Sequence, residues 1–290
     1  MTDTLKPRRI KRILIVGKRG SAAARPAIRR VARLVESRGL EVFFDPETAR
    51  ALGHGARRGN PARADLVVVV GGDGTLLSAA RWLAGHPRPI LGINLGGLGF
   101  MTETGPEEAL PVLLEVLAGR YSVDRRMTLD ATLLRGRRAI ARQVVLNDAV
   151  IAKSALARMI DLEVSIDGDE VTTYRADGLI VSTPTGSTAY SLSAGGPIIH
   201  PEMAALLIAP ICPHTLTMRP LVVPAESRVE VTLTTRDSEV YLTLDGQVGH
   251  PLRGGDRVRV RRGAAPVLMV RSRRQSHYEV LRRKLRWGER

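Results

Sequence analysis

The segment LVVVV at residues 66–70, followed at once by GGDGT at residues 71–75, constrains the fold more than any other part of the chain. A continuous run of branched apolar residues is typical of a strand buried on both faces, as in parallel sheets. Ligands of open parallel sheets bind beyond the carboxyl ends of the strands, where these glycines lie. Glycine lets backbone N–H groups approach a phosphate closely, and the following helix N-terminus favours negative charge. The two segments together predict an α/β sheet with an anion site.

Asp73 is the unexpected residue of this loop. An aspartate beside phosphate groups is unfavourable through Coulomb repulsion. Its presence is explained if Asp73 accepts a proton from an attacking hydroxyl group or holds a metal ion. The alternative is a plain strand-to-helix turn in which the side chain of Asp73 caps the helix.

Strand and helix patterns alternate over the first 121 residues, which is typical of parallel α/β units. From residue 122 to about residue 262 the apolar segments are short and alternating, with residues 139–151 read as one strand, which favours an antiparallel β-rich sandwich. We therefore expect an α/β domain at residues 1–121 and a β-rich domain at residues 122–262. The remaining residues, 263–290, are expected to pack back on the first domain through a stripe formed by Tyr278, Leu281 and Leu285.

Composition excludes several classes of protein. The formal net charge is +15, but aromatic residues make up only 3% of the chain, too few for the stacking surfaces that hold unpaired bases. We attribute the charge to arginine usage and to attraction of small phosphorylated ligands, and expect no nucleic-acid partner. No apolar run approaches the roughly 20 residues that cross a bilayer, so no membrane partner is expected. The single cysteine, Cys212, excludes an intramolecular disulfide, and we expect a cytoplasmic protein.

Two further segments carry candidate ligand-binding residues. Residues 92–100 (GINLGGLGF) are rich in glycine and follow the next predicted strand, so two such loops would line one cleft. The chain has no GxxxxGK[ST] phosphate loop, and Gly97-Leu98-Gly99 lacks the third glycine of the dinucleotide fingerprint. Residues 177–197 form a strand and then a loop dense in hydroxyl groups and glycines, where Tyr190 can stack on a ring. By itself such a loop is usually only a loop.

Four segments together resemble the NAD kinases in order and spacing: residues 71–75, 146–149 (LNDA), 177–197 and 244–247 (LDGQ). The resemblance extends from Arg12 to about Arg271. The GGDGT loop alone is not specific, because phosphofructokinases and the diacylglycerol and sphingoid lipid kinases carry similar loops. The hydroxyl-rich loop preceded by Asn147-Asp148 is the specific part. The first domain is then expected to be Rossmann-like, similar to that of phosphofructokinases and diacylglycerol kinases.

The resemblance implies transfer of a phosphoryl group from ATP to the 2′-hydroxyl of the adenosine ribose of NAD, giving NADP. Asp73 is then the general base, and Gly74 lines the same site. Asn147 is expected to meet the adenine and Asp148 the ribose hydroxyls, although many members have Glu at that position. Arginine at position 175 resembles members that prefer NAD over NADH. The further nucleotide-binding positions implied by the family are Arg158, Arg175, Asp177, Thr188, Ala189, Tyr190, Ser191, Leu192, Ser193 and Gln247.

The resemblance and the chemistry of the residues also give expectations about the cofactor and partners. Mg²⁺ is expected to arrive with ATP, because the sequence has no obvious protein cage for a metal. Inorganic polyphosphate is an alternative donor, since it serves some relatives. A homo-oligomer, a dimer or a tetramer, is expected through the β-rich domain, because relatives complete the nucleotide site with a neighbouring subunit. The apolar residues 204–211 are a second indication of such a surface. A lipid or sugar kinase and a basic nucleic-acid-binding protein remain alternative interpretations.

Overall fold

The computed structural model describes residues 10–53, 55–97, 99–155, 157–236, 238–271 and 276–288, so Leu98 of the predicted Gly97-Leu98-Gly99 loop lies outside the described residues. The chain divides into two compact units. The first consists of residues 1–125 and 267–290, and the second of residues 126–266. The sequence predicts the divisions at residues 121 and 262, four residues before those of the structure in each case.

In chain order, the strands are β1 (Arg12–Gly17), β2 (Glu41–Phe44), β3 (Leu66–Val70), β4 (Pro89–Ile93), β5 (Ser122–Arg126), β6 (Leu129–Arg135), β7 (Arg138–Val145), β8 (Asp148–Lys153), β9 (Ile160–Ile166), β10 (Asp169–Ala176), β11 (Gly178–Ser182), β12 (Ala205–Ile211), β13 (Leu221–Pro224), β14 (Val229–Leu233), β15 (Val240–Leu244), β16 (Val248–Leu252), β17 (Arg257–Arg262) and β18 (Val267–Arg271). The α-helices are α1 (Ala24–Glu36), α2 (Pro46–Leu52), α3 (Asp73–Trp82), α4 (Ala109–Leu117), α5 (Tyr190–Ser193) and α6 (His277–Leu285). Short 3₁₀ helices span Pro61–Arg63 and Thr185–Thr188.

The first unit is built on a six-stranded sheet in the order β2-β1-β3-β4-β18-β5. Strands β2, β1, β3 and β4 run parallel, as the alternating pattern predicts. Strand β18, which the sequence does not place in this sheet, pairs parallel with β4. All five residues of β3 are buried, because helices cover both faces of the sheet. On one face α1 and α4 pack against alternate strand residues such as Ile15 and Val68. On the other face α3 approaches the strands, since its Leu76 contacts the position where Gly92 would carry a Cβ.

The order of these strands creates a ligand site. Strand β1 lies between β2 and β3. The connection from β1 to β2 therefore runs toward one edge of the sheet, and the connection from β2 to β3 runs back toward the other edge. In doubly wound sheets a crevice opens at such a switch point, outside the carboxyl ends of the strands. Here the loops that follow β1, β3 and β4 end at this crevice.

The second unit is a sandwich of two six-stranded sheets. The first sheet has the order β10-β9-β14-β17-β6-β7 and the second β13-β12-β11-β8-β15-β16. Neighbouring strands pair antiparallel, and the inner faces share one apolar core that includes Leu133 and Val164 from one sheet and Ile151 and Val181 from the other. The fold class predicted from sequence, a parallel α/β domain followed by a β-rich sandwich, is confirmed.

Three local predictions are wrong. Residues 139–151 are not one strand, because the chain passes from β7 in one sheet to β8 in the other at Leu146-Asn147. The apolar residues 205–211 form β12, which is buried throughout between β11 and β13, so they do not indicate an additional interface. The stripe on α6 is right at Leu281, which is buried, but wrong at Tyr278, which is 60% exposed; Val280 is the other buried residue of the helix.

Candidate active site

A crevice of about 720 Å³ lies in the first unit beyond the carboxyl ends of the parallel strands. Its floor is formed by the residues that follow β3 and β4, among them Gly72, Asp73 and Asn94. One wall is apolar and belongs to α1 and α4. Three cationic side chains, those of Lys18, Arg30 and Lys284, line the crevice and are exposed to solvent. A concave site with an apolar wall, glycine loops and several cations suits a phosphorylated ligand that carries a ring.

The carboxylate of Asp73 is held by four hydrogen bonds from one loop. Its Oδ2 accepts from the backbone N–H of Phe100 at 2.8 Å. Its Oδ1 accepts from the N–H groups of Met101 at 3.2 Å and Thr102 at 3.0 Å, and from the Thr102 hydroxyl at 2.9 Å. These bonds fix the orientation of the carboxylate and also order the loop, because each donor would otherwise need another partner.

The interpretation of Asp73 as a helix cap is wrong. The N-cap of α3 is Gly72, which has no side chain that could cap the helix, and Asp73 is already the first helical residue. Its side chain turns to residues 100–102 rather than to the N–H groups of its own helix. Of the predicted phosphate-loop residues, Gly74 is exposed at the start of α3, beside Asp73.

The glycine-rich segment after β4 is shaped around this carboxylate. A Cβ at Gly99 would overlap Asp73 Oδ1 and Thr102 Oγ1, so the close approach requires glycine. The amide nitrogen of Asn94 donates to the carbonyl of Gly97 at 2.8 Å and to Thr102 Oγ1 at 3.0 Å. The Thr102 hydroxyl therefore receives one hydrogen bond and passes another to Asp73. Thr102 is not identifiable from the sequence as a site residue, because its contact with Asp73 spans 29 residues.

In the second unit, three segments meet at one end of the second sheet. Ser182, the last residue of β11, pairs with Asp148, the first residue of β8. Leu244, the last residue of β15, pairs with Ala149. The hydroxyl-rich loop that follows β11 and the turn 245–247 that follows β15 therefore flank Asn147-Asp148. The structure thus brings together three of the segments that carry the resemblance.

Asp148 is a buried carboxylate without hydrogen bonds. The residue is 4% exposed, and its side chain has no hydrogen-bond partner among the described residues. Burial and, to a smaller extent, the nearby charge of Asp245 together raise the pKa of Asp148 from 3.8 to about 7. A buried acceptor of this kind is costly unless a ligand supplies donors, and sugar hydroxyl groups are suitable donors.

The hydroxyl-rich loop is folded onto the same segment. The Thr183 hydroxyl donates to the carbonyl of Leu146 at 2.6 Å, and the N–H of Thr183 donates to the carbonyl of Asn147 at 2.9 Å. Ser191 is fully buried and its hydroxyl bonds to the Gly186 carbonyl, so that hydroxyl stabilises the loop.

Other groups of this region are available to a ligand. Asn147 Oδ1 and the hydroxyl of Thr185, which is only 7% exposed, are buried atoms with no hydrogen-bond partner among the described residues. Thr185 is not among the binding residues predicted from the sequence. Six predicted positions are at least partly accessible, with Tyr190 47% exposed: Thr188, Ala189, Tyr190, Leu192, Ser193 and Gln247.

Three predicted residues are not brought to this end of the sheet. Asp177 precedes β11 and its carboxylate lies 3.4 Å from the ammonium of Lys153, the last residue of β8. Arg158 and Arg175 are exposed and lie in the loop after β8 and at the end of β10. With about 3.3 Å per residue, the length of β8 separates this group from Asn147-Asp148 by about 17 Å.

The described residues contain no group of three His, Cys, Asp or Glu side chains placed to hold a metal ion. In the same part of the chain, no helix has the length and apolar character needed to cross a membrane. An α/β unit with a cationic crevice and a fixed carboxylate, and a sandwich unit with buried acceptors, are features expected of a nucleotide-dependent phosphotransferase.

Comparison with known proteins gives the family. The ATP-NAD kinase N-terminal domain matches residues 13–121, and the ATP-NAD kinase C-terminal domain matches residues 146–272. The NAD kinase of Geobacter sulfurreducens is 52% identical over 261 residues, covering 88% of this chain and 91% of the relative. That of Syntrophotalea carbinolica is 46% identical over 285 residues, covering 97% and 100%. The chain belongs to the ATP-NAD kinase family.

Two solved structures have the same fold. Yeast NADH kinase complexed with NADH superposes with a TM-score of 0.88 at 26% identity, covering 97% of this chain and 89% of the yeast chain. The NAD kinase from Archaeoglobus fulgidus in complex with ATP superposes with a TM-score of 0.76 at 26% identity, covering 95% and 98%. The resemblance predicted from the four sequence segments is confirmed.

Proposed function

We infer that this chain transfers the γ-phosphoryl group of ATP to the 2′-hydroxyl of the adenosine ribose of NAD, giving NADP and ADP. The observation that carries this function is the pair of acidic sites: a carboxylate fixed in a cationic crevice and a buried, donor-free carboxylate beside Asn147. The first suits proton removal at a reacting hydroxyl, and the second suits recognition of a sugar. Membership of the family supports both assignments.

Asp73 is proposed as the general base. Its Oδ1 already accepts three hydrogen bonds, whereas Oδ2 accepts one and keeps a lone pair for the substrate. As the 2′-oxygen bonds to the γ-phosphorus, the bond from that phosphorus to the bridging oxygen of ADP breaks and the hydroxyl proton moves to Asp73 Oδ2. General base catalysis of this kind contributes about 10²–10⁴-fold to the rate.

ATP is proposed to bind in the crevice of the first unit. Lys18, Arg30 and Lys284 attract its phosphates, and the apolar wall formed by α1 and α4 can cover a purine ring. Inorganic polyphosphate would use the cations but not the apolar wall, so this crevice favours ATP. Because the described residues form no metal cage, we propose that Mg²⁺ is carried by the phosphate oxygens of ATP.

NAD is proposed to bind beside Asn147-Asp148, with Asn147 at the adenine and Asp148 at ribose hydroxyls. The buried oxygen of Asn147 that lacks a partner supports this position. Tyr190, half exposed at the start of α5, can stack on a ring. The accessible residues Thr188, Ala189, Leu192, Ser193 and Gln247 would complete the contacts.

A neighbouring copy of the chain is proposed to supply Arg158, Arg175 and Asp177. In one chain these residues lie at the far end of β8, about 17 Å from Asn147-Asp148. A homo-oligomer, a dimer or a tetramer, in which two sandwich units meet would bring one copy of each group together. We place the protein in the cytoplasm, in keeping with its single cysteine.

A coupled assay of NADP formation tests the reaction. The wild-type protein is offered ATP or polyphosphate as donor, and NAD or NADH as acceptor. We expect turnover with ATP and NAD, and slower turnover with polyphosphate. Absence of NADP with every donor would contradict the proposed function, and faster turnover with polyphosphate would contradict the assignment of the crevice.

Mixing two inactive variants tests the shared site. Asp148→Ala removes a residue at one end of β8, and Asp177→Ala removes a residue of the group at its other end. Each variant alone is therefore expected to lose most of its NAD kinase activity. Co-expressed chains should form hybrids in which some sites contain both intact groups, and activity should return in part. Native mass spectrometry confirms that hybrids form, and hybrids without regained activity would contradict the shared site. A single 31.5 kDa species in sedimentation at micromolar concentration would contradict the oligomer.

A further inference from the structure

We propose that Asp245 is a positioning residue that holds Asn147-Asp148 in the geometry that binds NAD. This role rests on the proposed function, because it assumes that Asn147-Asp148 contacts NAD. Asp245 is not itself assigned a contact with a substrate.

The carboxylate of Asp245 collects backbone N–H groups at the point where the chain changes sheets. Its oxygens accept from the N–H of Leu146 at 3.1 Å, of Asn147 at 2.7 Å and of Asp148 at 3.4 Å. In return, the N–H of Asp245 donates to the carbonyl of Asp148 at 3.0 Å. Between β7 and β8 these N–H groups leave one ladder and enter another, so a side chain supplies the acceptor that a neighbouring strand would otherwise provide.

The opposite side of the segment is held by the hydroxyl-rich loop. The carbonyl of Asn147 accepts from the Ser182 hydroxyl at 3.1 Å and from the N–H of Thr183 at 2.9 Å. Asn147 is thus fixed through its N–H by Asp245 and through its carbonyl by the end of β11. Only its side chain remains for a ligand, and the Oδ1 atom has no partner among the described residues.

Asp245 occupies this position at a cost to stability. It is 6% exposed, it lies close enough to Asp148 for the two charges to repel, and its φ of 50° is in the left-handed region. Asn would be at least as comfortable at that φ and would carry no charge. An isolated buried carboxylate is unfavourable, so the hydrogen bonds to the three N–H groups are what make it tolerable.

A second Asp-Gly turn in the same unit serves as a matched comparison. Asp167 has a φ of 56° and is followed by Gly168, as Asp245 is followed by Gly246. Asp167 is exposed, and its carboxylate accepts from one N–H group, that of Arg228 at 2.8 Å. The two turns share the Asp-Gly pair and a positive φ at both residues, and they differ in the groups that their carboxylates bind.

The experiment compares Asp245→Asn with Asp167→Asn. In Asp245→Asn an NH2 group replaces Oδ2 and faces the N–H of Leu146, and the charge that strengthens the bonds to all three N–H groups is lost. The KM for NAD is therefore expected to rise about tenfold to hundredfold. The KM for ATP should stay close to that of the wild type, and Asp167→Asn should leave both constants unchanged. Asp245→Glu keeps the charge but misplaces the oxygens, and it should not restore NAD binding.

A pH profile separates positioning from general loss of structure. Removing the charge of Asp245 lowers the pKa of Asp148, so the acid limb of kcat/KM for NAD should move to lower pH in Asp245→Asn. A variant that is merely less stable would keep the limb where it is. Asp245→Asn with wild-type KM for NAD and an unmoved acid limb would overturn the positioning role.

Hydrogen exchange on the wild-type protein provides the second measurement if the variants fail to fold. The amides of Leu146 and Asn147 should exchange slowly, because both donate to a buried carboxylate. Rapid exchange at these two amides would overturn the role of Asp245. If the wild-type protein shows no turnover of NAD, the proposed function itself fails, which is distinct from a failure confined to Asp245→Asn.

Discussion

Asp73 and Asp148 are acidic residues of the candidate active site, and the chain surrounds their carboxylates in opposite ways. Asp73 is half-buried and accepts four hydrogen bonds from residues 100–102. Asp148 is almost fully buried, accepts none, and lies near a second carboxylate. The first carboxylate is oriented before any substrate arrives, as a base requires. The carboxylate oxygens of Asp148 accept no hydrogen bond within the chain and can accept from a ligand. The folded protein is less stable as a result, but the site can recognise a ligand.

The largest expected effect is that of Asp73→Asn on turnover. The amide cannot take up the 2′-hydroxyl proton, so kcat should fall about 10²–10⁴-fold while the affinity for NAD stays close to that of the wild type. The amide would also face N–H donors, so a loss of stability of about 1–3 kcal/mol is expected. NADP formation is measured beside circular dichroism melting.

Asp65→Asn is the matched control for that substitution. Asp65 directly precedes β3, at the other end of the strand, and like Asp73 it accepts from backbone N–H groups, here those of Lys11 and Arg12. Unlike Asp73, it also pairs with the Arg12 guanidinium at 3.2 Å. It should lose stability without losing kcat. Near-normal turnover of Asp73→Asn, or an equal loss of kcat in Asp65→Asn, would contradict the assignment of the base. Recovery of the rate at high Mg²⁺ would indicate a metal-holding role instead.

Asp148→Asn should weaken NAD binding and stabilise the protein. The amide keeps the size but offers fewer acceptors, so the KM for NAD is expected to rise about tenfold or more. At pH 8 the substitution removes a buried charge, and the melting temperature should rise by about 2–4 °C per kcal/mol regained. At pH 5 the wild-type carboxyl is already protonated, so the gain should be smaller. A lower melting temperature at both pH values would contradict the buried, donor-free state of Asp148.

The pH dependence of NAD binding follows from the same group. The pKa of Asp148 is raised to about 7, so the folded protein takes up a proton as pH falls through 7. If ionised Asp148 accepts the ribose hydroxyls, the KM for NAD should rise toward tenfold per unit below pH 7 and be constant above it. Asp148→Asn should show a high KM with no such limb. Initial rates between pH 5 and 9 check this, and an identical limb in Asp148→Asn would assign it to another group.

The smallest expected effect concerns the cations of the crevice. Lys284 lies on α6, with its ammonium 5.7 Å from the centre of the Phe100 ring. Because it is exposed, Lys284→Gln should raise the KM for ATP only a few-fold, and less at high ionic strength. Arg283→Gln, which removes an exposed charge of the same helix that does not line the crevice, should change little. Equal increases of the KM for ATP in the two variants would indicate that only the net charge of the protein affects ATP binding, not the position of Lys284.

The parallel sheet could be predicted from sequence because each of its strands is a local pattern. The LVVVV segment and the glycines after it identify a buried strand and its ligand-binding end without knowledge of the neighbours. The C-terminal strand β18 was missed as a member of this sheet, since its partners β4 and β5 are more than 140 residues away in the chain. The same distance hides the burial of Val280 on α6, whereas Leu281 was predicted correctly.

The main residues of the candidate site could be predicted from sequence, but the hydrogen bonds that hold them could not. Asp73, Asn147 and Asp148 were identified from motifs, whereas the donors to Asp73 lie 27–29 residues further along the chain. The break between β7 and β8 has no local signal, because apolar alternation continues through residues 139–151. The acceptor that supports the break, Asp245, lies 99 residues from Leu146. Contacts of that kind depend on which strands become neighbours, and only the folded chain shows this.

Equilibrium NAD binding and single-turnover rates, measured together on Asp73→Asn and Asp148→Asn, test the division of roles most directly. The roles proposed for the two residues predict opposite outcomes. Asp73→Asn should bind NAD with an affinity close to that of the wild type, and it should transfer the phosphoryl group about 10²–10⁴-fold more slowly. Asp148→Asn should bind NAD at least about tenfold more weakly and, once saturated, transfer it at a rate near that of the wild type. Weakened binding in Asp73→Asn with an unchanged rate, or a slow rate in saturated Asp148→Asn, would contradict the account.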